Sequence, residues 1–336
     1  MRALVYEAPG KATFENVSKP TIGTDEVLIK TKFASICGTD LHILDGKFPA
    51  RRGVVLGHEA SGIVEAVGDA VQNVKLGEKV VCAPYLVCGQ CTPCRAGRYN
   101  VCTNRKHLGI EVDGVFAEYF KLPSYAVYPL PQGMGLEEGA LLEPASVGYH
   151  AVRRVAPTPS DFVVIIGAGP IGLFILQSAA AFNCQKIIVS ELIKQRLELA
   201  RCLGADRVVN PEKEDLRRIV MEETAGEGAD IVIEAVGSSE TIAESVYLVR
   251  PAGRICIVGI PTERVAFDFL TLVRKEIDII TSDASLLSYE KTQVLVSKKI
   301  IDVRRLITHE FEFDDIHEAF NLMRRKEIIK ALIVFK

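Results

Sequence analysis

The chain has 336 residues, 48 % of them hydrophobic and 25 % charged, the balance of an ordinary globular protein. That length suits two domains and a core large enough to do without disulfide staples. With 43 acids against 40 bases the net charge is -3, which excludes the basic excess of a general nucleic-acid or membrane-surface binder.

The first residues, MRALVYEAPGK, contain no apolar stretch of signal-peptide length, so secretion is not expected and a cytoplasmic setting is. From there to about Leu142 short β-like runs follow one another: Arg2–Tyr6, Glu26–Phe33, Gly62–Val67, Lys79–Ala83 and Phe116–Lys121. Gly, Pro, Asp and Asn punctuate them, predicting a compact, mostly-β domain. The middle changes character. Phe162–Ile166, Lys186–Ser190, Ile231–Ala235, Arg254–Gly259 and Ile277–Thr281 are apolar runs separated by helix-like segments such as Ile193–Leu203 and Leu216–Glu223. Strands apolar on both faces and alternating with helices predict a doubly wound parallel sheet, an α/β domain. The uncharged stretch Phe162–Gln185 is 24 residues long. Its glycines and Pro170 break it early, so strand, turn and buried helix are expected rather than a membrane span. Beyond about Leu287, helices are expected around Thr292–Lys299 and Phe313–Arg325. The closing strand Ala331–Phe335 is expected to return to the first domain. The expected division is therefore 1–144 with 287–336, and 145–286.

Gly167-Ala168-Gly169-Pro170-Ile171-Gly172 follows the run FVVII, and Glu191 lies 19 residues beyond Gly172 at the end of the next strand. A glycine fingerprint in that context predicts dinucleotide binding, with pyrophosphate at a helix N-terminus and the acid on the adenosine ribose. The carboxylate opposes a 2′-phosphate, which points to NAD. Arg196, five residues on, could tolerate a phosphate and make that preference incomplete, or be a solvated helix arginine.

The chain has nine cysteines, an odd number, which in an unexported protein favours metal over disulfides. Cys88, Cys91, Cys94 and Cys102 have the spacing C-x2-C-x2-C-x7-C, fitting a closed, structural tetrathiolate zinc site. The nearby Arg95, Arg98, Arg105, Lys106 and His107 form a local basic patch without aromatic platforms, unlike a nucleic-acid module. A second, dispersed set comprises Cys37 and His42 in ICGTDLH, His58 and Glu59 in LGHE, and Glu143 in LEP. Cysteine, histidine and carboxylate together suit a zinc that keeps an exchangeable position.

CGTDLH, GHEASGIVEAVG, the four-cysteine lobe, LLEPASVGYHAVRR and VIIGAGPIGL together resemble the zinc-dependent medium-chain alcohol and polyol dehydrogenases along nearly the whole chain. The resemblance implies a GroES-like catalytic domain beside a Rossmann domain, two zinc ions per chain and NAD. It places Cys37 and His58 at catalytic zinc positions, with Glu59 and Glu143 competing for the third. Thr39 would take the substrate hydroxyl proton and His42 relay it. Ala235, Val236, Gly237, Val258 and Gly259 would line the cofactor groove. The implied reaction moves a hydride from a secondary alcohol of a polyol or sugar acid to NAD, giving a ketone, in a homotetramer or dimer. Ile43 and Asp283 set the chain apart from the sorbitol branch. L-Threonine 3-dehydrogenase, whose style GIEVDGVFAEY shares, is the alternative enzyme, and a non-catalytic NAD-binding protein the alternative class. Cys82, Cys184, Cys202 and Cys256 are expected to be small core residues. His107, His150, His309 and His317 are expected to be structural or superficial.

Overall fold

The computed structural model describes residues 1–284 and 288–336. The chain separates into two compact units, Pro144–Ala284 and Met1–Glu143 with Ser285–Lys336. The expected boundary at 286/287 lies outside the described residues.

The Pro144–Ala284 unit is built on a six-stranded parallel sheet. Its spatial order is Arg207–Val209, Lys186–Ser190, Phe162–Ile166, Ala229–Glu234, Val249–Ile257, Asp278–Thr281. In chain order that is 3-2-1-4-5-6, the doubly wound dinucleotide-binding order, which reverses beside its first strand. All five residues of Phe162–Ile166 are buried. Alternate strand residues, among them Val164, Ile188, Val232 and Ile255, join Leu216, Ile219 and Val246 in one apolar cluster. The uncharged 162–185 stretch resolves into the strand Phe162–Ile166, a glycine turn and the 12-residue helix Pro170–Ala181. Among the described residues no helix is long and apolar enough to cross a membrane.

The other unit is mostly β. Its main sheet runs Ile307–Glu312, Lys330–Val334, Glu26–Ser35, Glu59–Val67, Lys79–Cys82, Val127–Pro129, and Tyr119–Pro123 also pairs with Glu26–Ser35. Lys330–Val334 lies antiparallel to Glu26–Ser35, with Leu332 opposite Ser35. The last strand is thereby built into the middle of a sheet begun some 300 residues earlier in the chain. Register shifts at Leu28/Ile29 and Thr31/Phe33 bend the long strand. Leu4, Ile29, Ile36, Val64, Val80 and Ile333 form the core beneath it.

Several boundaries differ from the sequence expectation. The strand expected at Phe116–Lys121 is Tyr119–Pro123. Phe116 is instead bonded to Leu56 and Leu4 through its backbone. Gly38–Leu44, Leu136–Ala140 and Leu142–Val155 are helices that periodicity alone did not reveal.

Candidate active site

Cys37 caps the helix Gly38–Leu44. Asp40, in its first turn, returns Oδ2 to accept the Cys37 N–H at 2.9 Å, which fixes the loop that carries the thiol. Its Oδ1 lies 3.5 Å from His58 Nδ1. His58 immediately precedes the strand Glu59–Val67, whose first residue faces Ser35 across the sheet. Pairing of these two strands brings together residues more than twenty apart in sequence. One ligand atom each from Cys37, His58 and Glu59 lies within 4.8 Å of the others.

Glu59 is fully buried. One carboxylate oxygen accepts from Ser35 Oγ and from the ammonium of Lys330. Lys330 itself is 2 % exposed and also donates to the Ile36 carbonyl at 2.9 Å. The other oxygen, Glu59 Oε1, is buried without a partner, as are Asp40 Oδ1 and His58 Nδ1. Burial alone would lower the His58 pKa, but the negative charge of Asp40 and Cys37 outweighs it and holds the imidazole well above its usual value. A half-buried thiol beside a buried imidazole and carboxylate, with unmet polar atoms and a field favouring positive charge, fits a divalent zinc.

The other residues singled out from the sequence lie as follows. Thr39 Oγ1 is 3.7 Å from Cys37 Sγ. His42 is one turn further along the same helix and half-buried. Glu143 opens the helix Leu142–Val155, is 4 % exposed, and lies outside the group formed by Cys37, His58 and Glu59. It acts electrostatically on Cys82, whose thiol burial pushes up to about 12, and on the buried Tyr289.

Cys88, Cys91, Cys94 and Cys102 form a second group within 4.8 Å. Cys91 Sγ and Cys102 Sγ are 3.8 Å apart, Cys102 Sγ and Cys88 Sγ 3.5 Å. Zinc–sulfur bonds of about 2.3 Å in a tetrahedron require sulfur–sulfur edges of about 3.8 Å. Backbone N–H groups at Cys94 and Thr103 lower Cys91 to about 6, while burial and the adjacent thiols raise Cys94 to about 12. Four thiolates at this spacing need a cation, and zinc fits.

His107 was expected to be structural or superficial. Its ring packs edge-on to His58 at 4.9 Å and to Tyr85 at 4.8 Å. Burial, with His58 and Arg105 nearby, lowers its pKa to about 3. Neither His107 nor Lys330 carried a motif. His107 is 49 residues from His58 and Lys330 is 271 from Glu59, so only the folded chain reveals them.

In the parallel-sheet unit, Gly167 and Ala168 lead from the strand Phe162–Ile166 to Gly169, which caps the helix beginning at Pro170. Gly167 has φ +97°, and a Cβ on Gly172 would lie 1.9 Å from the Gly167 carbonyl oxygen. Any side chain there would push helix and strand apart. The helix presents its first amides, with Ile171 half-buried in that turn, to the space above the loop. Glu191 accepts from the N–H groups of Ala168 at 2.9 Å, Leu192 at 2.8 Å and Ile193 at 3.0 Å. Arg196 Nη1 stands 3.7 Å from Glu191 and 3.9 Å from the position of a Gly169 Cβ. Ile166 and Ser190 line an adjacent cavity of about 500 Å³ with Pro211, Leu216 and Thr241.

On the other side of the switch point, Glu234 holds two loops. Its Oε1 accepts from Val236 N at 2.8 Å, Gly237 N at 2.9 Å and Thr241 Oγ1 at 2.8 Å. Its backbone carbonyl accepts from Val258 N at 2.9 Å and Gly259 N at 3.1 Å. Ala235 N donates to the Ile166 carbonyl at 2.9 Å.

Comparison with known proteins gives the class. Residues 23–132 match the alcohol dehydrogenase GroES-like domain and residues 170–297 the zinc-binding dehydrogenase family. L-Threonine 3-dehydrogenase of Bacillus subtilis is 37 % identical over 330 residues, covering 96 % of this chain and 95 % of the relative. D-Xylulose reductase A of Aspergillus oryzae is 34 % identical over 342 residues, covering 98 % and 96 %. Among solved structures, an alcohol dehydrogenase of Escherichia coli CFT073 complexed with NADH superposes with a TM-score of 0.95 at 32 % identity, covering 100 % and 99 %. The chain belongs to the zinc-dependent medium-chain alcohol and polyol dehydrogenases, with a GroES-like domain and a Rossmann-like domain.

Proposed function

We propose that this enzyme oxidises a secondary alcohol of a polyol or polyol-like sugar acid to the ketone, with NAD as hydride acceptor. The observation that carries the proposal is the group of half-buried Cys37 with buried His58 and Glu59, and its unmet polar atoms. Zinc bound there would supply Lewis-acid stabilisation of negative charge on the substrate oxygen. Cys37, His58 and Glu59 are the residues that would hold it, with Glu143 as a further acidic group of the site. Thr39 takes the proton of the substrate hydroxyl, and His42 passes it on towards solvent. Cys88, Cys91, Cys94 and Cys102 would hold a structural zinc. Residues 1–144 with 287–336 serve as the catalytic domain, and 145–286 as the cofactor domain.

The loop Gly167–Gly172 would take the pyrophosphate at the helix N-terminus, and Glu191 the adenosine ribose. Ala235–Gly237 and Val258–Gly259 border the cofactor groove. A carboxylate at Glu191 supports NAD over NADP, and Arg196 beside it makes the preference less than absolute.

The exposed Phe269, Leu270 and Val273 sit on the helix next to the edge strand Asp278–Thr281, whose Ile279 is also exposed. An apolar face of this kind supports a homo-oligomer, a tetramer or dimer. Four thiols gathered as metal ligands must stay reduced, which supports a cytoplasmic setting.

The experiment is an NAD-reduction screen over sugar alcohols, hexonates, L-threonine and simple alcohols, repeated with NADP. Polyols or sugar acids are expected to give the highest kcat/KM, and NAD to outperform NADP. The Bacillus subtilis relative at 37 % identity favours a second reading, L-threonine 3-dehydrogenase, and highest kcat/KM with threonine would establish it instead. Best turnover of monohydric alcohols would overturn both.

A further inference from the structure

The motif GIEVDGVFAEY, Gly109–Tyr119, supplies none of the ligand atoms grouped at Cys37, His58 and Glu59. Its first part lies instead on Val55–Gly57, the three residues that lead into His58. Gly114 N donates to the Val55 carbonyl at 2.7 Å, Phe116 N to the Leu56 carbonyl at 2.9 Å and Val115 N to the Gly57 carbonyl at 3.0 Å. Asp113 Oδ1 accepts from Val55 N at 3.3 Å and from the Arg51 guanidinium at 2.9 Å. The segment is itself anchored, since Leu108 N donates to the Pro84 carbonyl at 2.9 Å and the Ile110 carbonyl accepts from Arg51 N at 2.8 Å. The approach is close enough to need glycine. A Cβ on Gly114 would lie 2.6 Å from the Leu56 carbonyl oxygen and nearer still to that of Gly57. One on Gly109, whose φ is +74°, would lie 2.8 Å from Gly57 N, and one on Gly57, whose φ is +89°, 2.6 Å from the Phe116 ring. Leu56, Val115 and Phe116 are fully buried around this contact, so a displaced backbone has little free space to take up.

We propose that Gly109–Phe116 is a strap that positions His58, with Gly109 and Gly114 as positioning residues. Their missing side chains let the strap seat on Gly57, and the seat fixes where the imidazole meets Cys37 and Glu59. The backbone of His58 is then defined on both sides: by the strap up to Gly57, and by the sheet from Glu59, which pairs with Ser35. The ring is 3 % exposed and its Nδ1 has no hydrogen-bond partner, so its place follows from where the backbone enters the strand. Small displacements matter there, because metal–ligand bonds keep within about 0.2 Å of their usual lengths. The proposal rests on Cys37, His58 and Glu59 as a metal centre and not on any choice of substrate. It gives the motif a role that is the same for every alcohol, so its likeness in style to L-threonine 3-dehydrogenase carries no preference for threonine.

The test compares Gly114→Ala, Gly109→Ala and Asp113→Ala with the wild type and with Gly53→Ala. Gly53 has φ +78° and open space where a Cβ would stand, so its variant carries the backbone strain of Gly109→Ala without the contact. The Asp113 carboxylate is exposed, so its removal leaves the core intact. Each protein is titrated with a chromogenic zinc chelator, and cobalt exchanged for zinc reports ligand geometry through its visible spectrum. Cys37→Ser identifies the metal that belongs to the Cys37, His58 and Glu59 centre. Gly114→Ala and Gly109→Ala are expected to hold zinc there about 10- to 100-fold more weakly and to alter the cobalt spectrum. Asp113→Ala should lose less, Gly53→Ala should match the wild type, and the four-cysteine zinc should stay in every variant. Glycine variants with a lowered Tm but wild-type zinc affinity and cobalt spectrum would make the strap structural only and overturn the proposal. A loss in Gly53→Ala as large as in Gly109→Ala overturns it too, because strain alone then accounts for the effect. If Gly114→Ala does not fold, Gly109→Ala decides; if neither folds, unchanged zinc affinity in Asp113→Ala overturns it. A wild-type protein without metal at Cys37, His58 and Glu59 overturns the centre itself, a failure distinct from that of the strap.

Discussion

Lys330 and Glu59 form an ion pair almost wholly withdrawn from water. Removing one member of such a pair leaves a buried charge without compensation, a loss of about 3–5 kcal/mol. Lys330→Met should therefore lower stability by about that amount in chemical denaturation. Replacing Glu59 with Met in the same chain should return part of the loss, because the orphaned charge is then gone. A double variant no more stable than the single one would show that packing, not charge, sets the penalty. Glu234 invites a comparable experiment at the cofactor loops. Glu234→Ala leaves Val236 N, Gly237 N and Thr241 Oγ1 without their acceptor. NADH binding, followed by fluorescence titration, should weaken about 10-fold or more, while Glu234→Gln, which keeps one oxygen, should lose less. Equal affinities in all three proteins would deny the loops a part in holding the cofactor. At this scale the sequence was legible where a residue type has few other uses. Clustered cysteines and a glycine fingerprint declare themselves by spacing. Lys330 does not, because lysine is usually a surface residue and its partner Glu59 is reached only through the sheet; nor does Glu234, whose acceptor role is to nearby backbone N–H groups that no residue type announces.

The elements divide along similar lines. Phe162–Ile166, Lys186–Ser190 and Leu216–Glu223 have the same limits in sequence and in structure. Burial on both faces writes a parallel strand as an unbroken apolar run, and Asp215 caps the helix from its side chain. Short helices such as Gly38–Leu44 were illegible, since two turns carry too few residues to show a period. Strand Ile307–Glu312, largely open to solvent, lacks the apolar signature altogether. The four-cysteine lobe is an extreme case. It contains only the two-residue strands Tyr85–Leu86 and Lys106–His107, the four-residue helix Thr92–Arg95 and a single 3-10 turn. Elements so short have little apolar surface with which to hold one another, and a metal held by the four cysteines would take over that work. Cys94→Ser should cost one zinc per chain and markedly lower Tm, whereas Cys37→Ser should abolish turnover and leave Tm nearly unchanged. Metal analysis and calorimetry on the two proteins, side by side, would reveal any exchange of these roles.

For the whole molecule, the fold class and the family were legible because both fold types leave periodic traces and the family marks its loops with rare spacings. Substrate identity was not legible, since it depends on which groups converge at the Cys37–His58–Glu59 centre, and convergence is a property of the folded sheet. The division of the chain also bears on how the protein is made. Pro144–Ala284 is continuous, whereas the other unit takes Lys330–Val334 into its main sheet beside Glu26–Ser35. On the ribosome, synthesis runs from the N-terminus. The parallel-sheet unit has thus left the exit tunnel, free to fold, before the strand that completes the other sheet has emerged. Until then Ala34 and Ser35 are paired on the Glu59–Val67 side alone, and Glu59 waits without its lysine. The zinc centre is consequently among the last parts of the newborn chain to reach its final form, and a ribosome that stalls near residue 320 would display a finished cofactor fold attached to an unfinished metal site.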